Sequence, residues 1–142
     1  MPNWCDNSVT ISGPKDQLNR IRKAVANGSL FEEFVPIPKD YPEHVSFAGL
    51  WGTKWDLPAD EYTVHDHGQT ITLAFYSAWS PPIEVYQAMV RDGLDVDAKY
   101  FEGGNVFYGY FINGSENTVS YSSFDEVPDD IIEEFGLEDW GE

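Results

Sequence analysis

The sequence predicts an α+β fold: a ferredoxin-like split β-α-β-β-α-β sandwich with extra C-terminal strands and a short acidic helix. One observation is the order of the patterns, which runs strand, helix, strand pair, helix, strand. A second is the content of 42% hydrophobic and 15% aromatic residues, enough for a core. A third is the pair of strong turn motifs between the strands that follow the second helix. The length of 142 residues fits a single domain, residues 1–142.

The first strand and helix are predicted within the first 28 residues. Ser8 to Ser12 alternates apolar and polar side chains, which is typical of a strand with one buried face. Pro14 suits the first turn of a helix, because its missing N–H would be unpaired there anyway. Gly28 is a plausible end of this helix. Its apolar stripe consists of Leu18, Ile21 and Val25.

The sequence of residues 31–58 predicts a long connecting segment between the first helix and the next strand, which we call the excursion. Pro36, Pro38, Pro42 and Pro58 interrupt regular structure, yet the segment is rich in large apolar side chains. Flexible linkers are not aromatic, so we expect an ordered excursion. Its anchors would be Phe31, Phe34, Phe47, Trp51 and Trp55.

The second half predicts a hairpin, a helix, three strands and a last short helix. Residues 62–65 and 70–76 pair around His67-Gly68. Ser80 is expected to cap a helix that starts at Pro81-Pro82 and ends at Gly93. The later elements are predicted strands at 96–101, 106–112 and 118–121, with the turns Gly103-Gly104-Asn105 and Asn113-Gly114 between them, and a helix at 128–135.

The charge is strongly acidic and unevenly distributed. Eight Lys+Arg stand against 25 Asp+Glu, a net charge of −17. Residues 1–58 carry 6 basic and 7 acidic side chains, whereas residues 100–142 carry 11 acidic and no basic ones. This composition disfavours direct binding to nucleic acid or to an anionic membrane, both of which need a basic surface. It leaves a basic protein as a candidate partner.

The sequence predicts no metal, no cofactor and no catalytic residue. The single Cys5 excludes an internal disulfide and a four-cysteine zinc site. His65-Asp66-His67 has the form of a metal-binding pair, with Cys5 or His44 as a conceivable third ligand, but no third ligand has a recognisable spacing. Cys5 lacks the local pattern of a nucleophile and is better interpreted as a small buried apolar residue. We therefore expect a protein that is not an enzyme.

The segment Trp51-Gly52-Thr53-Lys54-Trp55-Asp56 has two interpretations. It could form a ligand pocket in which Lys54 anchors an anion. Alternatively, both indoles attach the excursion to the core while Lys54 pairs with a carboxylate. The residues of the possible pocket are Trp51, Lys54, Trp55, Asp56 and Trp79.

Four segments also resemble a known family. They are residues 1–13, residues 51–56, Ala78-Trp79-Ser80-Pro81-Pro82 and Tyr100-Phe101-Glu102-Gly103-Gly104. This combination resembles the YubB-like proteins of phages and plasmids. The resemblance implies a ferredoxin-like domain and an accessory role in a mobile element, with no activity to transfer. The acidic segment 125–142 matches no motif of that family.

The acidic C-terminal segment is the candidate partner-binding surface. A helix would hold Asp129, Asp130, Glu133 and Glu134 at about one charge per 2 Å, against about one per 1.7 Å in duplex DNA. We therefore expect an acidic, DNA-mimic-like module that binds and inhibits a basic, nucleic-acid-handling host protein, as in counter-defence against restriction or CRISPR nucleases. The alternative is that the acids only keep the protein soluble. With no leader and no apolar span at its start, we expect the chain in the host cytoplasm. The predicted contact residues are Asp125, Glu126, Asp129, Asp130, Glu133, Glu134, Glu138 and Asp139.

Overall fold

A six-stranded antiparallel sheet organises the protein. The computed structural model describes residues 3–53 and 55–138. The spatial order of the strands is β2-β3-β1-β4-β5-β6. Their bounds are β1 Trp4–Ser12, β2 Thr63–Asp66, β3 Thr70–Ala78, β4 Asp95–Glu102, β5 Phe107–Ile112 and β6 Ser115–Ser120. The helices are α1 Lys15–Ala26, α2 Leu30–Phe34, α3 Ala48–Trp51, α4 Ile83–Arg91 and α5 Asp129–Phe135.

The predicted fold class is confirmed. Strands β1 to β4, with α1 after β1 and α4 after β3, give the ferredoxin-like arrangement, and β5 and β6 extend the sheet beyond β4. Strand β1 lies at the centre and pairs with β3 on one side and β4 on the other. None of the described helices is long and apolar enough to cross a membrane.

The two faces of the sheet follow from the alternation in β1. Cys5, Asn7, Val9 and Ile11 are buried, whereas the residues between them are at least partly exposed. The buried set meets α1, α2 and α4, whose apolar residues form one large core with β1, β3 and β4. The predicted stripe on α1 belongs to it, since Leu18, Ile21 and Val25 are all buried. We call this the helix side and the opposite one the open face.

The excursion between α1 and β2 contains two short helices that the sequence did not predict. These are α2 and α3, of five and four residues. Among the predicted anchors, Phe31, Phe34 and Trp51 are buried, and Phe47 and Trp55 pack against the same core. The prediction underestimated the regular structure here because single helical turns can form between prolines when tertiary packing supports them.

The predicted cap of α4 is wrong. The residue at the N-cap position is Pro82, without a side-chain hydrogen bond. The Ser80 hydroxyl instead donates to the Gly52 carbonyl oxygen. Ser80 therefore ties the excursion to the start of α4, a long-range contact that local cap rules do not include.

Candidate functional site

The described residues cover the open face over only part of its width. Helix α5 packs across it near β4 and β5 and forms a second, smaller core. Ile131 of α5 is fully buried there, against Phe101 of β4 and Tyr108 of β5. The apolar side of the terminal helix is therefore docked on the sheet. The part of the open face formed by β2, β3 and β1 lies beside this helix.

Three depressions lie along the open-face side of β1. We name this row of depressions the β1 groove; it lies above Trp4, Asp6, Ser8, Thr10 and Ser12. Its middle is a cavity of about 260 Å³ between these strands and α5. Depressions of about 240 Å³ and 230 Å³ lie near Trp4 and near Thr10 with Ser12, respectively. Eight steps of an extended strand make this stretch of β1 about 26 Å long.

Three carboxylates from three different elements line the central cavity. Asp6 comes from β1, Glu61 from the 3₁₀ turn before β2, and Glu134 from α5. Tyr76 and Phe135 line the same cavity. At the far end of the groove, Asp95 and Asp97 line the third depression. Acidic side chains therefore occupy both the middle and one end of the groove.

Asp6 is a partly buried carboxyl group of the groove. Burial, together with the smaller effect of the nearby Glu102 carboxylate, raises the pKa of Asp6 to about 6. Among the described residues, no hydrogen bond or ion pair reaches the Asp6 carboxylate. Glu102 itself lies on the helix side, where it accepts hydrogen bonds from the Gly104 and Asn105 amides at 2.6 and 2.7 Å. Asp6 is thus an ionisable group in a partly buried position, and no cation within residues 3–53 and 55–138 compensates its charge.

The sheet separates the charges of the molecule. Lys99 is the only lysine or arginine in the six strands and α5. Its Nζ lies 3.9 Å from an Asp130 oxygen and 3.8 Å from a Glu134 oxygen. Four basic residues belong to α1, on the helix side, and the two arginines there form ion pairs, Arg20 with Glu33 and Arg22 with Asp66. The open face is consequently much more acidic than the helix side.

The predicted partner-binding acids that the structure describes are exposed, but they are not equivalent. Glu126 accepts hydrogen bonds from the Ser122 and Ser123 amides and caps a 3₁₀ turn. Asp130 accepts from the Tyr110 hydroxyl at 2.9 Å. Asp139 lies outside the described residues. The predicted acids whose carboxylates have no hydrogen bond or ion pair within the described part of the chain are Asp125, Asp129, Glu133 and Glu138.

Two members of the possible ligand pocket have structural roles. Trp51 is 2% exposed, and its indole N–H donates to the Val35 carbonyl at 2.8 Å. Asp56 accepts hydrogen bonds from the Phe31 and Glu32 amides at the start of α2. Burial raises the pKa of the Asp56 carboxyl, while these hydrogen bonds lower it. These contacts favour the structural interpretation of the segment.

The other three members are placed differently. Trp55 contacts the Trp4 ring edge-to-face, with centroids 6.0 Å apart. Trp79 is 43% exposed and has a φ of +74°, an uncommon backbone conformation for a bulky residue. Lys54 lies outside the described residues. The four described members of the predicted pocket line none of the depressions named above.

The sheet separates His65 of the possible metal pair from Cys5, one of its two conceivable third ligands. His65 pairs with Thr72 on the open face, whereas Cys5 is buried on the helix side. No group of three metal-ligating side chains occurs within residues 3–53 and 55–138.

The segments that carry the family resemblance meet at one end of the sheet. The Trp79 amide donates to the Asn3 carbonyl, and the Thr53 hydroxyl donates to the Ala78 carbonyl, both at 2.8 Å. Gly104 also approaches Asn3 so closely that a Cβ there would lie 2.5 Å from the Asn3 side chain. Residues far apart in sequence thus build one compact end of the sheet.

Comparison with known proteins identifies the family of the chain. The family described as "Ferredoxin-like domain in Api92-like protein" matches residues 51–139. The chain belongs to the Api92-like family. The crystal structure of a protein api92 from Yersinia pseudotuberculosis matches with a TM-score of 0.55 and 10% identity, over 87% of this chain and 99% of that chain. At this identity the likeness shows the fold alone. No curated protein matches the chain.

The part that matches the Api92-like family begins after β1. Strand β1 lies between β3 and β4 in the sheet, but it precedes the matched residues in the sequence. The sheet of the matched residues is therefore completed by β1. Tyr76, Glu61 and Glu134 of the groove lie within the matched residues, and Asp6 lies before them.

Sequence reasoning missed the groove in this Api92-like chain. The predicted strand began at Ser8, so Trp4 and Asp6 were not assigned to a face. Extending the alternation back to Trp4 would have placed both with Ser8 and Thr10. The approach of Glu61 and Glu134 to Asp6 has no counterpart in the local sequence pattern, because it depends on how α5 lies across the sheet.

Proposed function

We propose that this Api92-like chain is a non-enzymatic accessory protein that binds and inhibits a basic, nucleic-acid-handling host protein through its acidic open face. The resemblance to YubB-like proteins supports a phage or plasmid setting and the host cytoplasm as the place of action. In that setting, a counter-defence role of the DNA-mimic kind, against restriction or CRISPR nucleases, is the specific form of the proposal.

One observation supports the proposal most: the charge is segregated across the sheet. The strands and α5 carry Lys99 as their only lysine or arginine, whereas α1 carries four basic residues on the helix side. An acidic face of this kind attracts basic surfaces over a Debye length and repels nucleic acid phosphates. The proposed partner is therefore a basic protein.

The structure changes which acidic residues we expect to contact the partner. Asp130 and Glu134 lie toward Lys99, and Asp130 also accepts from Tyr110, so both help to hold α5 on the sheet. Asp129 and Glu133 are exposed and have no such contacts in the described chain. Along the helix axis they lie about 6 Å apart. The proposal accordingly rests on the whole acidic face rather than on a DNA-like row of four charges.

A pull-down from host lysate with matched charge-reversal variants tests this function. The test variant is Asp129→Lys with Glu133→Lys. The control is Asp40→Lys with Glu43→Lys, which changes the same charge at exposed positions in the excursion. We expect the wild type and the control to retain a basic nucleic-acid-handling protein and the test variant to lose it.

The salt dependence of the retention and the activity of the purified partner complete the test. Retention should weaken as ionic strength rises, because exposed charge pairs are screened within about 8 Å at physiological salt. The purified partner should lose nucleic acid binding or cleavage when the wild-type protein is added. Retention that is insensitive to both salt and the α5 reversal would contradict the proposal, as would a partner with an acidic surface.

The alternative, a small-ligand-binding protein or enzyme with a pocket around Trp51, Lys54, Trp55, Asp56 and Trp79, receives less support. Trp51 is buried with its indole N–H satisfied, and the Asp56 carboxylate is occupied by amides of α2 and of Leu57.

A further inference from the structure

We infer that the β1 groove receives an extended segment of the partner that carries lysine or arginine side chains. This inference rests on the proposed function and adds to it where the partner binds and what it presents.

The central cavity fits a cationic side chain. Asp6, Glu61 and Glu134 reach it from the floor and from both walls. Glu134 is 3.8 Å from Lys99, and the other two have no described cation as a partner. About 260 Å³ accommodates an ammonium or guanidinium group with bound water, since a water occupies about 30 Å³ in the liquid. A cation bound in the cavity would exchange some of its contacts with solvent for proximity to three negatively charged side chains.

Exposed aromatic rings lie beside these carboxylates. Tyr76 is 56% exposed and Trp4 is 43% exposed, and both line the depression that Glu61 shares with the central cavity. The edge-to-face contact with Trp55 orients the Trp4 ring. Lysine and arginine are attracted to aromatic faces, and their alkyl stems pack on such rings. Aromatic and acidic groups together therefore favour basic side chains over other cations.

The shape of the groove favours an extended segment. Its depressions lie along one strand that spans about 26 Å, the length of about eight extended residues. The second acidic position is Asp97, which lies opposite Thr10, four residues along β1 from Asp6. Two sites about 13 Å apart match side chains at positions i and i+4 of an extended chain, which point to the same side. We therefore expect two basic residues at that spacing in the bound segment.

A second copy of this chain is a poor occupant. Its basic residues are concentrated on α1, where Arg20 and Arg22 are already paired with Glu33 and Asp66. Nucleic acid and anionic lipid are excluded by charge repulsion from the same carboxylates. Charge complementarity therefore favours a basic polypeptide as the occupant of the β1 groove.

Amide chemical-shift mapping by NMR tests the inference with synthetic peptides of about ten residues. The probe carries two lysines four positions apart in a Ser/Thr/Gly background. A second peptide of the same composition has the lysines adjacent, and a third has glutamates in their place. We expect the first to shift amides of β1, β3 and the turn at Glu61, to bind more tightly than the second, and the third not to bind.

Two variants with equal charge loss locate the site. Asp6→Asn with Glu61→Gln should weaken binding of the first peptide by about five- to ten-fold, the range for two partly screened ion pairs. Asp129→Asn with Glu133→Gln should have a much smaller effect. Tyr76→Ala, which leaves all charges in place, should also weaken binding. Native-like amide spectra of the free variants establish that each is folded.

The possible failures are distinguishable. If the peptide shifts only the outer side of α5, or if both charge variants weaken it equally, the groove inference is wrong while the proposed function stands. If the lysine peptides do not bind at low salt, the groove inference is likewise overturned. Loss of the proposed function is read separately, from the pull-down with the α5 variants.

Discussion

Replacement of Asp6 by Asn should make the protein more stable at neutral pH. The substitution keeps the size of the side chain and removes a carboxyl group whose pKa burial raises to about 6. An aspartate with a raised pKa in the native state binds its proton more tightly when the chain is folded. Its ionisation therefore lowers the free energy of unfolding as the pH rises from about 4, the unfolded pKa, through about 6, the folded pKa.

The magnitude follows from the size of the shift. A rise from the ordinary value of 3.8 to about 6 corresponds to at most about 3 kcal/mol when fully expressed. Since Asp6 lines an open groove and is partly solvated, screening by water reduces this to about 1 kcal/mol. Asp6→Asn should accordingly gain about 1 kcal/mol at pH 8 and about nothing at pH 4.

Urea denaturation between about pH 4.5 and 8, followed by tryptophan fluorescence, measures this difference. The control is Asp97→Asn, which removes the same charge from an exposed position on the same face. The difference between the two variants isolates the effect of the Asp6 environment from the general relief of self-repulsion. A stability gain for Asp6→Asn that has the same pH dependence as the control would refute the reasoning, and so would a loss of stability at pH 8.

Three other substitutions or reactions test the packing. Ile131→Ala should lower the free energy of unfolding by about 2–4 kcal/mol, because Ile131 is fully buried between α5 and the sheet; a urea-measured loss below about 1 kcal/mol would contradict the second core. Gly52→Ala should cost about 1–3 kcal/mol, since φ is +87° and a Cβ would lie 2.8 Å from the Ile83 nitrogen. Gly49→Ala, where a Cβ meets no atom within 4 Å, is its control and should be close to neutral in the same denaturation assay. The Cys5 thiol, which is fully buried and whose pKa burial raises, should not react with a thiol reagent until the protein unfolds; stoichiometric labelling of the native protein would show that this end of the sheet opens.

Local pattern was sufficient for most elements but not for their limits. The alternation of Val9 and Ile11 located β1, yet the strand starts at Trp4. Asp6 and Asn7 are poor strand formers, so propensity alone placed the start of the predicted strand four residues too late. Pairing with β3 and β4 on both sides overrides that preference. The Ser80 prediction failed for a related reason, because a hydroxyl that can cap a helix can equally bond to a distant carbonyl.

The sequence by itself determined the ferredoxin-like order of strands and helices, the presence of a short acidic helix and the acidic character of the last third. Each of these depends on periodicity or composition, which are properties of neighbouring residues. The tertiary structure alone decided which carboxylates share a groove, which of them lie near Lys99 or accept from Tyr110, and that the basic residues of α1 lie behind the sheet. These are relations between residues up to about 130 positions apart, as for Asp6 and Glu134, and they arise because the sheet and α5 pack in one particular way.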